Sequence, residues 1–302
     1  MTKTWVIVVG AMICCTLWGS AFPCIKIGYR MMEIAAADTA SQILYAGYRF
    51  TLAGVLTIVL GSILQRKILL PKRSAIGKIG LLSLLQTVLQ YLFFYIGLAH
   101  TTGVKASIIE AVSTFVAILV AGYLFHQETV TSRKMLGCLI GFAGVVLVNV
   151  AGSGMDFHFS PAGDGCILLS TVAYAFSSVC MKRFSQKEDP VMLSGYQFIL
   201  GGIVMIACGG AMGGHLKAFT ASAAALLIYM AMISAVAYSL WGMLLKYNPV
   251  SKVTVFGFMN PVIGVILSAL LLDETEALGV SSVLALGLVC VGIYIVNAKA
   301  KE

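Results

Sequence analysis

The chain has 302 residues, of which 60% are hydrophobic and only 11% are charged. An average soluble domain is about 25% charged, so this composition excludes a soluble globular protein with a polar surface. The formal net charge of +8 does not indicate nucleic-acid binding, because the basic residues lie in short segments between apolar runs and not along one amphipathic face. The lipid bilayer is therefore the expected environment, and no nucleic-acid partner is expected.

Apolar runs follow one another along the whole chain, and each is close to the roughly 20 residues that cross a bilayer as a helix. The predicted spans are 5–27, 43–63, 78–98, 103–125, 134–150, 163–183, 192–212, 221–245, 250–272 and 278–296. The first run is as long as a span and lacks a convincing small-residue cleavage site, which predicts an uncleaved first helix. The expected fold is an all-α integral membrane protein with ten transmembrane helices.

The positions of the basic residues predict the orientation in the membrane. Of the 20 Lys and Arg residues, one lies inside a span (Arg49) and four lie on the side opposite the N-terminus, namely Lys26, Arg30, Lys105 and Lys217. The other fifteen lie on the N-terminal side. Cytoplasmic loops carry the excess of basic residues, so both termini are predicted to be cytoplasmic and the cytoplasmic membrane is the predicted location.

An internal duplication is the second strong signal in the sequence. Residues 47–61 (GYRFTLAGVLTIVLG) match residues 195–209 (GYQFILGGIVMIACG) at seven of fifteen positions with an offset of 148. A thinner match pairs 103–129 with 249–275, ending in HQET and LDET, and Trp18, Cys24 and Lys26 correspond to Tyr174, Cys180 and Lys182. Two five-helix halves, 1–152 and 160–298, are therefore expected.

Because five is an odd number, the second half enters the membrane upside down, and inverted repeats are a recurring plan of secondary transporters. Two halves of opposite orientation can exchange shapes, which opens a central cavity to either side. The sequence contains no GxxxxGK[ST] run for ATP, no GxSxG elbow and no HExxH motif. It predicts neither an enzyme nor a cofactor nor a metal site, and no obligatory protein partner is evident.

Local motifs resemble the drug/metabolite transporter superfamily, specifically its ten-helix EamA-type branch, over essentially the whole chain. They are LWGSAFPCIK at 17–26, YRF with Arg49, Glu128 at the end of the fourth span, and NPVIGVILSALLLDET at 260–275. The first half departs from the pattern, since Phe115 stands where the second half has Pro261. The resemblance implies two five-helix halves around a central cavity, which export amino acids, other metabolites or drug-like compounds.

Two charged residues lie well inside predicted spans, Arg49 and Glu110, where each charge costs at least a few kcal/mol. Their repeat counterparts are Gln197 and Phe256, so these charges break the symmetry between the halves. One interpretation is a static ion pair that locks spans two and four. The alternative is that Glu110 binds a substrate ammonium group or a coupling proton.

Aromatic and polar residues inside the spans supply the other candidates for substrate binding. Aromatic side chains can hold an ammonium group by cation–π attraction, although helix packing is the alternative for each of them. Pro23 and Pro261 each remove a backbone hydrogen bond inside a span, which produces either a gating hinge or a simple kink. The substrate-binding candidates are Trp18, Tyr91, Tyr95, Glu110, Tyr174, Tyr238, Trp241 and Asn260.

These observations predict a secondary, ATP-independent transporter of a small-molecule substrate, with export by alternating access as the expected mode. A passive channel or an uptake carrier is the alternative, and an intramembrane enzyme lacks the clustered acid, base and nucleophile that it would need.

Overall fold

A computed structural model describes residues 1–35, 37–101, 103–150, 159–217, 220–272 and 280–298. Within these residues the chain is helical and contains no strand. Helices occupy all ten predicted spans, which we number one to ten. Their bounds are Thr4–Met31, Thr39–Leu64, Arg73–Leu98, Gly103–Leu124, Ser132–Val150, Pro161–Ser185, Pro190–Ala211, Ala221–Tyr247, Val250–Leu272 and Val280–Asn297.

The lengths and composition of these helices suit a bilayer. In the described part of the chain, eight of them are long and apolar enough to cross a membrane. The remaining two, Ser132–Val150 and Val280–Asn297, have 19 and 18 residues. At 1.5 Å of rise per residue, both approach the roughly 30 Å of the hydrocarbon core. The prediction of an all-helical membrane protein is therefore confirmed.

Helix starts follow local capping signals in the sequence. The Asp38 carboxylate accepts a hydrogen bond from the Ser41 N–H at 2.9 Å and caps span two, and this bond lowers the pKa of Asp38. Asp189 caps span seven in the same way, with Pro190 as the first helical residue. Such caps satisfy N–H groups that have no partner within the helix. They fix where each span enters the membrane.

The contacts between spans stay the same when each span is replaced by its repeat counterpart. Span two packs along span seven and span five along span ten, so each packs against its own counterpart. Span one packs against spans eight and nine, and its counterpart, span six, packs against spans three and four. The linker between the expected halves includes residues 151–158, which lie outside the described residues. This packing pattern is the one that two inverted halves require.

Glycines bring spans two and seven into backbone contact. A Cβ at Gly54 would lie 2.5 Å from the Gly195 carbonyl oxygen, and a Cβ at Gly47 would lie 3.0 Å from that of Gly202. Gly47 and Gly195 are repeat counterparts, as are Gly54 and Gly202. Exchanging the two halves therefore turns each of these two contacts into the other. The order of the contacts also shows that the two spans run antiparallel. Small residues permit this close approach in membranes.

Replacing Gly54 with leucine should therefore destabilise the protein, because the new side chain meets the backbone of span seven. Overpacking of this kind costs about 1–3 kcal/mol or more, which thermal unfolding in detergent would report as a lower melting temperature. Gly210→Leu is the matched control, since a Cβ at Gly210 meets nothing within 4 Å. Equal melting temperatures for the two variants would contradict the close crossing.

Candidate functional site

A central cavity of about 160 Å³ lies between the two halves, lined by residues of spans one, two, three, four, six, eight and nine. An apolar cavity of about 150 Å³ is large enough to bind benzene. The space is therefore sufficient for a small organic molecule. Its lining combines aromatic rings with hydroxyl, amide and charged groups, so both apolar and polar parts of a solute would find contacts.

The structure brings nearly all of the predicted candidates together in this cavity. Those that line it are Trp18, Arg49, Tyr91, Glu110, Tyr174, Tyr238, Trp241, Asn260 and Pro261. Two others lie elsewhere. Tyr95 is buried in the helix packing, with its ring 6.2 Å from that of Tyr91, and Pro23 lies inside the continuous helix Thr4–Met31 without lining the cavity. A role in substrate binding stays a prediction for each of these residues.

Aromatic rings form one wall of the cavity. The Trp18 ring contacts the rings of Tyr238 and Trp241 edge-on, with centroid distances of 5.0 Å in both cases. The hydroxyl groups of Tyr91 and Tyr238 form a hydrogen bond of 3.1 Å, which joins spans three and eight. The indole nitrogens of Trp18 and Trp241 have no hydrogen-bond partner among the described residues. This wall offers the cavity a mainly apolar surface.

Arg49 is 3% exposed and reaches the cavity from span two. Its Nη2 donates a hydrogen bond of 3.2 Å to the Ser234 hydroxyl, and its guanidinium lies 4.7 Å from the centroid of the Phe50 ring. Its Nε has no partner in the described part of the chain. The charge is thus held by neutral groups, which is an unusual state for a buried ion.

Glu110 lines the same cavity from span four but forms no ion pair with Arg49. The structure shows no such pair in this arrangement, in which Arg49 donates to Ser234 in span eight. The role of the two charges stays a prediction. Among the described residues, no donor forms a hydrogen bond with the Glu110 carboxylate.

Spans four and nine change helix type beside the cavity, which the sequence did not predict. Span four consists of Gly103–Ala111, Ser113–Leu119 and a π-helical turn at Val120–Leu124. Span nine consists of Val250–Thr254, a 3₁₀ turn at Val255–Phe258, and Met259–Leu272. Residues 112 and 258 are equivalent at the repeat offset of 146, so the change falls at the same place in both halves.

Side chains from spans one and six donate to carbonyl groups at these changes of helix type. Cys15 in span one donates to the Phe256 carbonyl at 3.2 Å, and Thr171 in span six donates to the Ile109 carbonyl at 3.4 Å. The same carbonyls also accept the backbone N–H groups of Met259 and Val112. Cys15 and Thr171 are themselves equivalent at the offset of 156 between these spans. Corresponding side-chain contacts therefore occur in both halves.

The two prolines occupy different settings. The helix Thr4–Met31 continues through Pro23, whereas Pro261 is the third residue of Met259–Leu272, directly after the 3₁₀ turn. First-turn residues have no intrahelical partner for their N–H groups, so proline is tolerated there. Asn260 precedes Pro261, and its buried Oδ1 has no hydrogen-bond partner among the described residues. The hinge role predicted for the prolines stays a prediction.

Several small polar lining residues were not predicted, although their spacing offered a signal. Ser107, Glu110 and Thr114 are spaced i, i+3 and i+7, which places them on one face of a helix. Thr114 donates to the Thr254 carbonyl at 3.1 Å and so connects spans four and nine. By contrast, Ser234, the partner of Arg49, is one serine in a long apolar run, and nothing in its spacing identifies it.

The fold and the cavity define a membrane transporter. A model of the EamA-like transporter family matches residues 5–150 and 161–298. The chain belongs to this family, and the resemblance seen in the sequence motifs is confirmed.

Several similar proteins cover nearly the whole chain. An uncharacterized transporter of Archaeoglobus fulgidus is 28% identical over 98% of this chain and 99% of its own length. The uncharacterized transporter YvbV of Bacillus subtilis is 26% identical over 94% and 89%. The uncharacterized inner membrane transporter YedA of Escherichia coli K12 is 28% identical over 94% and 90%. Their names indicate transport and not enzymatic activity.

One solved structure aligns with this chain with a TM-score of 0.79, covering 98% of this chain and 97% of its own. The sequences are 16% identical, so the likeness shows the fold alone. The arrangement of helices around the cavity is therefore shared with a solved protein.

Replacing Ser234 with alanine should destabilise the protein, because Arg49 then loses its hydrogen bond to span eight. Hydrogen bonds to charged groups contribute about 1.5–3 kcal/mol, and a lower melting temperature in detergent would report the loss. Ser194→Ala is the matched control, since Ser194 is equally buried and its hydroxyl has no partner among the described residues. A melting temperature unchanged by Ser234→Ala would show that Arg49 does not depend on this contact.

Proposed function

We propose that the chain is a secondary transporter that exports small organic solutes, such as amino acids or drug-like amphipathic compounds, by alternating access. The observation that carries the proposal is that one cavity lies between the two halves and that spans four and nine change helix type at equivalent positions beside it. Substrate sites near the membrane midplane, between two inverted repeats and beside irregular helix segments, are typical of secondary transporters. Since the sequence has no ATP-binding motif, energy would come from an ion or solute gradient.

We place the protein in the cytoplasmic membrane with both termini in the cytoplasm. The distribution of basic residues supports this orientation, and the name of the relative YedA places that protein in an inner membrane. The solute would then enter the cavity from the cytoplasmic side, at the ends of spans four, six, eight and nine. An uptake carrier with the same fold would use this path in the opposite direction.

A cluster of contacts at the N-terminal side supports closure of the cavity on that side. The Glu128 carboxylate, beyond the end of span four, accepts a 2.9 Å hydrogen bond from the Ser251 N–H and a 2.5 Å bond from the Ser251 hydroxyl. Lys134 forms an ion pair of 2.9 Å with the same carboxylate. These contacts join span four to the first turn of span nine. The repeat counterpart of Glu128, Glu274, lies outside the described residues.

Purified protein in lipid vesicles tests the proposed function directly. We expect uptake of at least one radiolabelled amino acid or amphipathic amine from a screening panel to saturate with concentration. Unlabelled solute on the opposite side should accelerate it, because a carrier returns faster when loaded. Empty vesicles are the control. Flux that rises linearly with concentration and shows no such exchange would favour a passive channel and contradict the proposal.

Glu110→Gln should change how transport depends on pH, because a glutamine cannot release or accept the proton that a cavity carboxyl exchanges. The rate of exchange in vesicles, measured across a pH series, should become flatter than in the wild-type protein. Glu33→Gln is the matched control, since Glu33 is exposed in the loop after span one. A pH profile that is identical in Glu110→Gln and in the wild-type protein would exclude Glu110 as a proton or ammonium site.

A further inference from the structure

The guanidinium of Arg49 is a buried positive charge that faces the cavity without an acidic partner among the described residues. Its closest described contacts are the Ser234 hydroxyl at 3.2 Å and the Phe50 ring, whose centroid lies 4.7 Å away. Hydroxyl groups solvate a cation but do not neutralise it. Buried charges in proteins are normally paired, so the surroundings of Arg49 leave its charge to be balanced by another group.

The fold itself does not require a charge at this position. The repeat counterpart Gln197 is fully buried and neutral, and it accepts a hydrogen bond of 2.6 Å from the Thr87 hydroxyl. At the equivalent position in the second half, neutral groups therefore satisfy the hydrogen bonds between the helices. A permanent charge that costs free energy in the bilayer, and that the packing does not need, points to a ligand.

The chemistry of the guanidinium identifies the class of ligand. Arginine is always charged in proteins and presents its N–H donors in a planar fork that matches a carboxylate. One donor, Nη2, is used by Ser234, and the guanidinium lines the cavity. The neighbouring Trp18 and Trp241 rings would contact the apolar body of such a solute. Glu110 lines the same cavity and offers a contact for an amine.

A second, basic cleft lies at the N-terminal side of the protein. It is lined by residues that follow span four and by the facing ends of spans six and eight, and it has a volume of about 640 Å³. Lys182, Arg183 and Lys246 line it, and no acidic residue is among its lining residues in the described part of the chain. A cleft lined by charges of one sign raises the local concentration of counter-ions. Anionic solutes would therefore collect in this cleft.

We propose that the transported solute is an organic carboxylate and that Arg49 binds its carboxylate group. This inference rests on the proposed function and names the substrate class of the same cavity. A solute that is only a cation would meet the uncompensated Arg49 charge in the cavity, so amines without a carboxylate are expected to be poor ligands. Zwitterions satisfy the requirement because they carry the carboxylate.

A matched series of ligands tests the proposal on the wild-type protein. Binding to the purified protein is followed as a ligand-dependent rise in melting temperature. Phenylalanine and phenylpropionate, together with a panel of aliphatic amino acids and dicarboxylates, represent the carboxylates. Phenylalaninamide and phenethylamine have the same ring without the carboxylate. We expect carboxylates to bind at least about tenfold more tightly than their matched amides, which corresponds to one bidentate contact of about 1.4 kcal/mol.

Variants of Arg49 separate recognition from folding. Arg49→Gln places the residue of the other half at this position and should abolish the preference for carboxylates. Arg49→Lys keeps the charge without the planar fork of donors and should retain part of the preference for carboxylates. Arg73→Gln is the control, because it removes the same group from an exposed position at the start of span three. If Arg49→Gln does not fold, the ligand series on the wild-type protein still tests the proposal.

Two results would overturn the proposal. In the first, amides and amines bind as well as the carboxylates, or no carboxylate in the panel binds. The other is a folded Arg49→Gln variant that keeps the wild-type preference. Either result is distinguishable from failure of the proposed function, because that failure is the absence of saturable exchange for every solute in vesicles. Saturable exchange without a preference for carboxylates would support the proposed function and contradict only this inference.

Discussion

The bilayer offers no hydrogen-bond partners to the chain, and the rest of the structure depends on this constraint. Most of the backbone satisfies itself as continuous helix. Where spans four and nine change helix type, the Ile109 and Phe256 carbonyls receive additional donors from Thr171 and Cys15, one from each half. These segments lie beside the cavity. Neighbouring spans therefore support the backbone next to the cavity at membrane depth.

The framework repeats between the halves, but the chemistry of the cavity does not. The glycine contacts between spans two and seven exchange under the symmetry, as do the side-chain donors to Ile109 and Phe256. In contrast, Arg49 corresponds to Gln197, and Glu110 corresponds to Phe256, which is 2% exposed in the packed core. In the proposed mechanism, the symmetric framework would allow the halves to exchange shapes at little cost. The asymmetric cavity residues would recognise the solute.

Much of this organisation was predictable from the sequence, because apolar length, capping residues and basic loops are local signals. The aromatic residues inside the predicted spans also included most of the aromatic lining, although Tyr95 lies in the helix packing behind it. The contact of Arg49 with Ser234 was not predictable, since the two residues are 185 positions apart and periodicity does not show which faces meet. The changes of helix type in spans four and nine were missed because a short 3₁₀ or π turn does not alter hydropathy.

The central claim is that the two halves exchange shapes around the cavity, and distances between spin labels test it most directly. One label pair, at Thr129 and Tyr247, would report the N-terminal side, and another, at His100 and Val280, the opposite side; all four positions are exposed. Pulsed electron paramagnetic resonance in lipid, with and without a bound solute, would measure both. The account predicts that one distance lengthens as the other shortens. Distances that stay fixed, or that lengthen together, would contradict it.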